Sequence, residues 1–323
     1  MLLSDRLRND HDYLQFHLRG LGEPNDRPVV VQLCGNDPEL VVRAGKQVQS
    51  HCDAIDFNLG CPQGAARDAH YGAYLLGQND WPLVENIGTW CHAEKQATPS
   101  HERPVASMSN SLTVPVSAKL RLCQPASATL DLARRLEHAG ASWVTLHART
   151  VSARRRRQGA ADLEQIKTLK DNLSIPVISN GNVRVWEDVE HNLALTGADG
   201  IMVGESLLAN PCLFADITPD PVAISLEYLD LCREYPDTAT MQTVQMHVRH
   251  FVDHQCGRRP WFNKFRAALN GCKTVDDIDA VLRKVQRWRG LLQSSIDTCV
   301  KQDPSDDEKG HETPGDALAA MLY

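Results

Sequence analysis

The chain has 323 residues, 42% of them hydrophobic, which is enough to bury a large core, and its 20 glycines and 17 prolines exclude a collagen-like or wholly low-complexity protein. No apolar run approaches about 18 residues, which excludes an ordinary transmembrane helix. The net charge of −7 predicts no bulk attraction to nucleic acid or membranes, so any nucleic-acid surface must be local.

The N-terminal sequence MLLSDRLRNDHDYLQ becomes charged within its first few residues and lacks the apolar core of a signal peptide. The ten cysteines are scattered and form no CxxC pair, which indicates reduced thiols rather than a disulfide framework. We therefore expect a soluble protein of the cytosol or nucleus. Residues 1–27 are interpreted as a helix and loop that precede the main fold.

Six short apolar runs between residues 28 and 219 predict parallel strands buried on both faces. They are residues 29–33, 54–58, 116–121, 143–147, 176–180 and 200–204. Between them, Asp37 and Pro38 open one predicted helix, and a second covers about 127–139 and stops at Gly140. Repeated strand–helix units indicate an α/β fold with a parallel sheet.

Polar residues follow the carboxyl ends of these strands, where both barrels and open sheets place their sites. No GxGxxG follows any strand, so the pattern favours a TIM (β/α)₈-type barrel over a Rossmann sheet, with six of the eight strands visible. Residues 91–113 are predicted to be a surface insertion, and residues 220–298 a small helical domain. Residues 299–323 hold six acidic residues and two lysines and are predicted to be disordered.

The most specific segment is the run DFNLGCPQG at residues 56–64, which places a carboxylate, an amide and a thiol at one strand end. A cysteine there serves as a nucleophile, a metal ligand or an acid. A nucleophilic thiol needs a lowered pKa, whereas a thiol near the usual value of about 8.5 stays protonated and can donate a proton. The alternative is that Cys61 is an ordinary buried cysteine.

This DxNxGCP run, with Gly72-Ala73-Tyr74-Leu75-Leu76 behind it, resembles the catalytic loop of tRNA-dihydrouridine synthases. Further segments resemble motifs of that family and follow in the same order. They are Gln32-Leu33-Cys34-Gly35-Asn36-Asp37, Ala118-Lys119-Leu120-Arg121, His147-Ala148-Arg149-Thr150, Asn180-Gly181-Asn182 and the stretch 197–211. The resemblance covers about residues 28–215. It implies a flavin-binding barrel followed by a helical tRNA-binding domain.

The resemblance implies an FMN-dependent, NADPH-driven reduction of a tRNA uridine to 5,6-dihydrouridine, with Cys61 as the proton donor. The residues it assigns to the cofactor are Gln32, Asn58, Lys119, His147, Asn180, Gly181, Asn182, Gly204 and Glu205. Because a glutamate side chain cannot bind phosphate, backbone amides would act at Gly204 and Glu205. For Lys119 the alternative is a structural pairing with a carboxylate such as Asp56, and for His147 a purely structural role.

The expected partner is tRNA, the protein is expected to be a monomer, and no metal or membrane is expected. Residues 241–292 carry ten basic and four acidic residues, with Trp261, Phe262 and Trp288 interleaved. This pattern is typical of a nucleic-acid surface with stacking aromatics, or of a solvated helix face above core aromatics. The residues expected to bind RNA are Arg149, Arg258, Arg259, Lys264 and Arg266, and the run Arg154–Arg157 is a second candidate.

Helical spacing brings His247, His250, His254 and Cys256 together, but a zinc site normally recruits ligands from a second element, so a polar helix face is preferred. The family's first two barrel strands should precede Gln32. Their apparent absence is interpreted as N-terminal truncation, with a shortened inactive paralogue or completion by another chain as alternatives. The competing functions are a non-catalytic tRNA-binding paralogue and another FMN barrel reductase, although the basic helical domain disfavours the latter.

Overall fold

The computed structural model describes residues 1–21, 27–91, 112–152 and 159–299. The chain divides into two compact units, Met1–Val203 and Gly204–Tyr323. The sequence places the end of the barrel portion at residue 219, whereas the structure assigns the segment from Gly204 onward to the second unit. The basic run at 154–157 and the final residues from 300 to 323 lie outside the described residues, as does most of the predicted insertion, from 92 to 111.

The first unit is built on a sheet of seven parallel strands in the described part of the chain. Each strand pairs with the next one in sequence, as expected for a barrel-type α/β fold. The strands are β1 (Leu2–Leu3), β2 (Val30–Cys34), β3 (Ala54–Leu59), β4 (Val116–Arg121), β5 (Val144–His147), β6 (Val177–Asn180) and β7 (Gly200–Met202). The predicted fold class and all six predicted strands are confirmed, within one or two residues at the ends.

The strand count differs from the sequence-based expectation, because the sequence predicts a helix and loop over residues 1–27, where β1 lies. It pairs with β2 through Leu2 opposite Leu33 and Leu3 opposite Cys34. A strand of two residues has no periodicity to recognise, so the sequence signal was too short. The described sheet is therefore one strand short of eight, not two.

Helices connect the strands and cover one face of the sheet. In the first unit they are α1 (Ser4–Asn9), α2 (His11–Arg19), α3 (Pro38–Val48), α4 (Gly64–Asp68), α5 (Trp81–Cys91), α6 (Ala128–His138), α7 (Leu163–Asn172) and α8 (Trp186–Thr196). Helix α3 begins as predicted, since the Asp37 carboxylate accepts a hydrogen bond from the Leu40 N–H at 3.0 Å. Helix α6 ends before Gly140, whose φ of 101° permits the turn.

The core of the first unit lies between the helices and the sheet. Alternate residues of the central strands, among them Leu59, Leu120 and Leu146, are fully buried there. Because successive side chains of a strand point to opposite faces, the intervening residues form the other face. That second face is polar, and it carries the residues that the sequence singled out.

The second unit is helical, as expected, with a hydrophobic core of its own. Its helices are α9 (Glu205–Ala209), α10 (Pro221–Glu234), α11 (Met241–Cys256), α12 (Phe262–Gly271) and α13 (Val275–Cys299). Pro221 stands at the first position of α10, and the Asp220 side chain caps that helix. Among the described residues, no helix is long and apolar enough to cross a membrane.

Candidate active site

Nine polar residues from five adjacent strands share the face of the sheet opposite the helices, which we call the polar face. Their positions follow from the strand register, in which registered partners lie side by side. They are Gln32, Asp56, Asn58, Ser117, Lys119, Arg121, Thr145, His147 and Asn180. The face brings together five of the residues predicted to bind the cofactor, all of them at the carboxyl-terminal half of a strand.

A chain of side-chain hydrogen bonds crosses the polar face, and we call it the amide relay. The buried Asp56 carboxylate accepts from the Ser117 hydroxyl and from the Gln32 amide, both at 2.7 Å. The Gln32 carbonyl accepts from the Asn58 amide at 2.7 Å. The Asn58 carbonyl in turn accepts from the backbone N–H groups of Gly60, at 3.1 Å, and Cys61, at 2.9 Å. The relay therefore runs from the sheet to the backbone of the cysteine loop.

The loop is also fixed from its downstream side. The Ala73 N–H donates to the Cys61 carbonyl at 3.1 Å, and the Tyr74 hydroxyl donates to the Pro62 carbonyl at 3.2 Å. Gly72 adopts a φ of +66°, and a Cβ there would lie 3.0 Å from the Cβ and carbonyl oxygen of Cys61. This tight contact and the left-handed backbone both favour glycine at position 72. The Cys61 thiol itself is free and half-buried.

Two strand residues add positive charge beside this loop. The buried Arg121 donates from Nε to the Gly60 carbonyl at 2.8 Å and from Nη1 to the Thr150 carbonyl at 3.0 Å. Burial lowers the pKa of Lys119 to about 8, although the nearby Asp56 carboxylate opposes that shift. No ion pair within 4.0 Å joins Lys119 to Asp56 in the described structure, so the alternative of a structural salt bridge is not what this site shows.

Burial and the neighbouring cations keep the imidazole of His147 neutral. Desolvation lowers the pKa of His147 to about 3, and Arg121, Lys119 and Arg149 lower it in the same direction. The ring therefore offers one donor and one acceptor nitrogen at neutral pH. Beside it, the fully buried hydroxyl of Thr145 lacks a hydrogen-bond partner among the described residues.

The asparagine side chains at the end of β6 and in the loop after it form hydrogen bonds to the backbone of neighbouring segments. Asn182 exchanges two hydrogen bonds with the backbone of Ala161, at 2.8 and 2.9 Å. Asn180 donates to the Met202 carbonyl at 2.7 Å. Gly181 has a φ of +133°, and a Cβ there would come within 2.6 Å of Ala161. Contact of these three residues with the cofactor stays a prediction.

Arg149 borders a cleft of about 400 Å³ outside the polar face, together with Asn182, Arg184 and Asp188. Its guanidinium donates to the side-chain oxygen Oδ1 of Asn182 at 3.2 Å. Arg184 is largely exposed and paired with Asp188, which compensates its charge. Arg149 thus stands near both the predicted cofactor loop and an open surface, and its RNA contact stays a prediction.

The basic residues of the second unit fall into two groups. Arg258, Arg259, Lys264 and Arg266 are exposed and take part in no ion pair in the described part of the chain. By contrast, Arg283 pairs with Asp279, and Arg289 pairs with Asp220 at 2.6 Å. The first group remains available for a phosphate backbone, whereas the second is locally neutralised.

The interleaved aromatics do not form a stacking surface. Trp261, Phe262 and Trp288 are each at most 7% exposed and pack in the core of the second unit. Their helical spacing also suits a core stripe, and these three aromatics follow that alternative, whereas RNA binding by the basic residues stays a prediction. Gly204 and Glu205 are exposed at the start of α9, and their predicted cofactor contact stays a prediction.

The histidines of α11 do not assemble a metal site within the described residues, where no group of three or more His, Cys, Asp or Glu side chains is arranged to hold a metal. His247 packs instead against the rings of Tyr228 and Phe251.

Sequence reasoning assigned no functional role to Ser117 or Thr145, and it considered Asp56 only as a partner of Lys119. Each of the three precedes a predicted site residue by two positions on its own strand. Because strand side chains alternate with a period of two, that spacing was the signal that would have placed them on the same face.

Comparison with known proteins agrees with these motifs. The family model described as dihydrouridine synthase (Dus) matches residues 11–294. A mouse (Mus musculus) protein named tRNA-dihydrouridine(16/17) synthase [NAD(P)(+)]-like is 36% identical over 80% of this chain and 49% of its own length. The tRNA-dihydrouridine(16/17) synthases [NAD(P)(+)] of Schizosaccharomyces pombe and Saccharomyces cerevisiae are 36% and 34% identical, over 66% and 89% of this chain and 49% and 66% of their own lengths.

Among solved structures, a lactate oxidase from Pediococcus acidilactici is similar with a TM-score of 0.34 and 16% identity, over 79% of this chain and 60% of that protein. A similarity this distant identifies no function. The chain spans about half the length of the mouse and S. pombe relatives. The family model, however, covers most of the chain, and the motif residues meet on one face of the sheet. The chain therefore belongs to the dihydrouridine synthase family.

Proposed function

We propose that this chain reduces a uridine of tRNA to 5,6-dihydrouridine, with Cys61 as the proton donor and NADPH as the source of electrons. The observation that carries the proposal is the half-buried Cys61 thiol on a loop fixed from both sides, next to a polar face with one lysine and a neutral histidine. The names of the family relatives supply the substrate class and the nicotinamide reductant.

The polar face fits FMN, the cofactor that the family resemblance implies. The unpartnered, fully buried hydroxyl of Thr145 costs about 1–3 kcal/mol if it stays unsatisfied, and a polar edge of the flavin ring would satisfy it. With a pKa lowered to about 8, Lys119 is mostly protonated at neutral pH and can compensate negative charge on the reduced ring. Gln32, Asn58 and the neutral His147 offer directional hydrogen bonds along the same face.

The reaction adds two hydrogens across the C5=C6 bond of the uracil ring. When held by Gln32, Asn58, Lys119 and His147, FMN would supply hydride chemistry at C6, and the overall reaction would consume one NADPH and one proton for each dihydrouridine. The Cys61 thiol gives its proton to C5 and recovers one from water, since the residue is only half-buried. Asn58 and Ala73 hold the cysteine backbone on both sides, which keeps the sulfur in place during the transfer.

We assign tRNA binding to the exposed cations of the second unit, Arg258, Arg259, Lys264 and Arg266, with Arg149 of the first unit near the cofactor. Lysine and arginine contacts to phosphate supply affinity that does not depend on base sequence. Since Trp261, Phe262 and Trp288 lie in the core of that unit, we infer that these cations act through charge and not through stacking by those aromatics. We further propose that the protein acts as a monomer in the cytosol or nucleus.

The test is formation of dihydrouridine in tRNA that lacks it, with FMN and NADPH added and the nucleosides analysed by mass spectrometry. Replacing Cys61 by Ala should lower the rate by about 100-fold or more, the usual contribution of a positioned acid, while flavin and tRNA binding persist. Cys212→Ala, which removes another half-buried free thiol, is the matched control and should keep the parental rate.

Two outcomes would redirect the proposal. A yellow protein that reduces its flavin with NADPH but leaves tRNA unchanged would indicate another FMN barrel reductase. A protein that binds tRNA but cannot be reconstituted with FMN would indicate a non-catalytic paralogue.

A further inference from the structure

The start of the amide relay is not accounted for by the proposed chemistry. Asp56 is 4% exposed, it lies two residues before Asn58, and its two carboxylate oxygens are both occupied by Gln32 and Ser117. Burying a carboxylate is costly, and a sheet needs no carboxylate at this position. The hydrogen bonds that Asp56 accepts from Gln32 and Ser117 therefore point to a role in the site itself.

Burial raises the pKa of Asp56, and the hydrogen bonds from Gln32 and Ser117 together with the charge of Lys119 oppose that rise and favour the ionised form. When ionised, the carboxylate accepts hydrogen bonds and cannot donate them. Facing Asp56, the Gln32 amide must present its NH₂ group, which turns the Gln32 carbonyl toward Asn58. Asn58 must then present its own NH₂ group to Gln32, which leaves its carbonyl for the N–H groups of Gly60 and Cys61. Reversing Gln32 alone would set its NH₂ group against that of Asn58 and its oxygen against the Asp56 carboxylate. Reversing Asn58 would set its NH₂ group against the N–H groups of Gly60 and Cys61.

We propose that Asp56, anchored by Ser117, is a positioning residue that sets the direction of the Gln32–Asn58 amide relay and thereby holds the Cys61 loop. The proposal rests on the proposed function for its catalytic readout, but its structural readout does not. Asp56 and Ser117 act through Gln32 and Asn58, and it is Asn58 that accepts from the Cys61 N–H.

The charge of Asp56 has a second effect on the same face. The titratable groups that act on Lys119 are Asp56 on β3, Arg121 on β4 and His147 on β5, and among these three Asp56 is the acidic one. Its negative charge opposes the burial and the Arg121 repulsion that lower the pKa of Lys119. Removing the charge while keeping the hydrogen bonds should therefore affect Lys119 and leave the relay in place.

The first experiment measures the alkylation rate of Cys61 in the folded chain by iodoacetamide, followed by peptide mass spectrometry, without RNA or cofactor. Asp56→Leu and Ser117→Ala interrupt the relay, whereas Asp56→Asn can still accept from Gln32 and donate to Ser117. Thr196→Val removes a buried hydroxyl from the opposite side of the sheet in the same unit and is the matched control. The buried Cys123 reports global opening in every sample.

We expect Asp56→Leu and Ser117→Ala to speed Cys61 alkylation by about threefold or more while Cys123 stays protected. Asp56→Asn and Thr196→Val should stay near the parental rate. An unchanged Cys61 rate in the relay variants, or a rise in step with Cys123, would overturn the proposal, because the carboxylate would then be merely a structural group. Ser117→Ala keeps Asp56 and remains informative if Asp56→Leu does not fold.

The second experiment uses the rate of dihydrouridine formation against pH. We assign the alkaline limb to loss of the Lys119 proton. Asp56 lies two residues from Asn58, the registered partner of Lys119 on β3, and its charge favours protonated Lys119. We therefore expect Asp56→Asn to move this limb to lower pH by about one pH unit. An unshifted limb would contradict the charge effect of Asp56. If the parent chain forms no dihydrouridine, the proposed function fails, whereas the alkylation result stands by itself.

Discussion

Gly72 provides the most direct measure of how tightly the cysteine loop is packed. Replacing it by Ala places a methyl group 3.0 Å from the Cβ and carbonyl oxygen of Cys61 and 3.2 Å from the Asn58 carbonyl oxygen, in a left-handed backbone with φ of +66°. The left-handed conformation costs about 1–2 kcal/mol, of which lower entropy of the unfolded chain returns about 0.4–1 kcal/mol. Overpacking adds about 1–3 kcal/mol, for a total loss of about 2–4 kcal/mol.

Gly197 is a matched control for the backbone part of this loss. It has a φ of +65°, and an added Cβ would meet nothing closer than the Lys170 Cγ at 3.9 Å. Gly197→Ala should therefore cost about 1 kcal/mol, with no close contact to relieve. The difference between the two variants isolates the contact with the Cys61 loop.

Urea unfolding of the parent, Gly72→Ala and Gly197→Ala measures the free energy of unfolding, and Cys61 alkylation reports the loop in the same samples. We expect Gly72→Ala to lose clearly more stability and to change the alkylation rate of Cys61. If the two variants cost the same and alkylate alike, the close approach of Gly72 to the cysteine does not constrain the loop, and the reasoning from the contact distances is refuted.

Two further predictions concern charge. Burial lowers the pKa of Lys119 to about 8 from its usual 10.5. Between these two pH values the folded state therefore binds fewer protons than the unfolded state. This group makes the free energy of unfolding rise with pH over that range. Lys119→Met should flatten the rise relative to the parent in urea melts at pH 7 to 10, and parallel curves would contradict the shift. The second prediction is tested by filter binding of tRNA at several salt concentrations. Arg266→Gln should weaken binding uniformly across sequences and reduce its salt dependence by about one counterion. Arg283 is already paired with Asp279, so Arg283→Gln should do neither. Equal effects of the two substitutions would remove the assignment of the exposed cations.

The sequence predicted the fold well where strands were long enough to be read. Six strands, the start of α3 at Asp37 and the end of α6 before Gly140 were placed correctly. Buried parallel strands give continuous apolar runs, and helix ends favour specific residue types such as aspartate and glycine. The sequence did not predict strand β1, because a strand of two residues is too short to show the alternation of apolar and polar side chains.

The candidate site was predicted in part, because recognisable motifs mark the groups that do chemistry and not the groups that hold them. Asn58, Lys119 and His147 come from three motifs and meet on one face. Ser117 and Thr145 belong to no motif, so only their strand period reveals them. In the second unit, helical spacing did not distinguish a stacking aromatic from a core aromatic, since burial depends on tertiary packing that one helix does not encode.

Alternate residues of strand β3 serve the core and the site. Phe57 and Leu59 pack under the helices, while Asp56 and Asn58 lie on the polar face. A deletion or insertion of one residue within this strand would exchange the two sets. It would drive a carboxylate and an amide into the hydrocarbon core and present apolar side chains to the site. Folding and chemistry would then fail together, so this strand tolerates changes of residue type far better than changes of length.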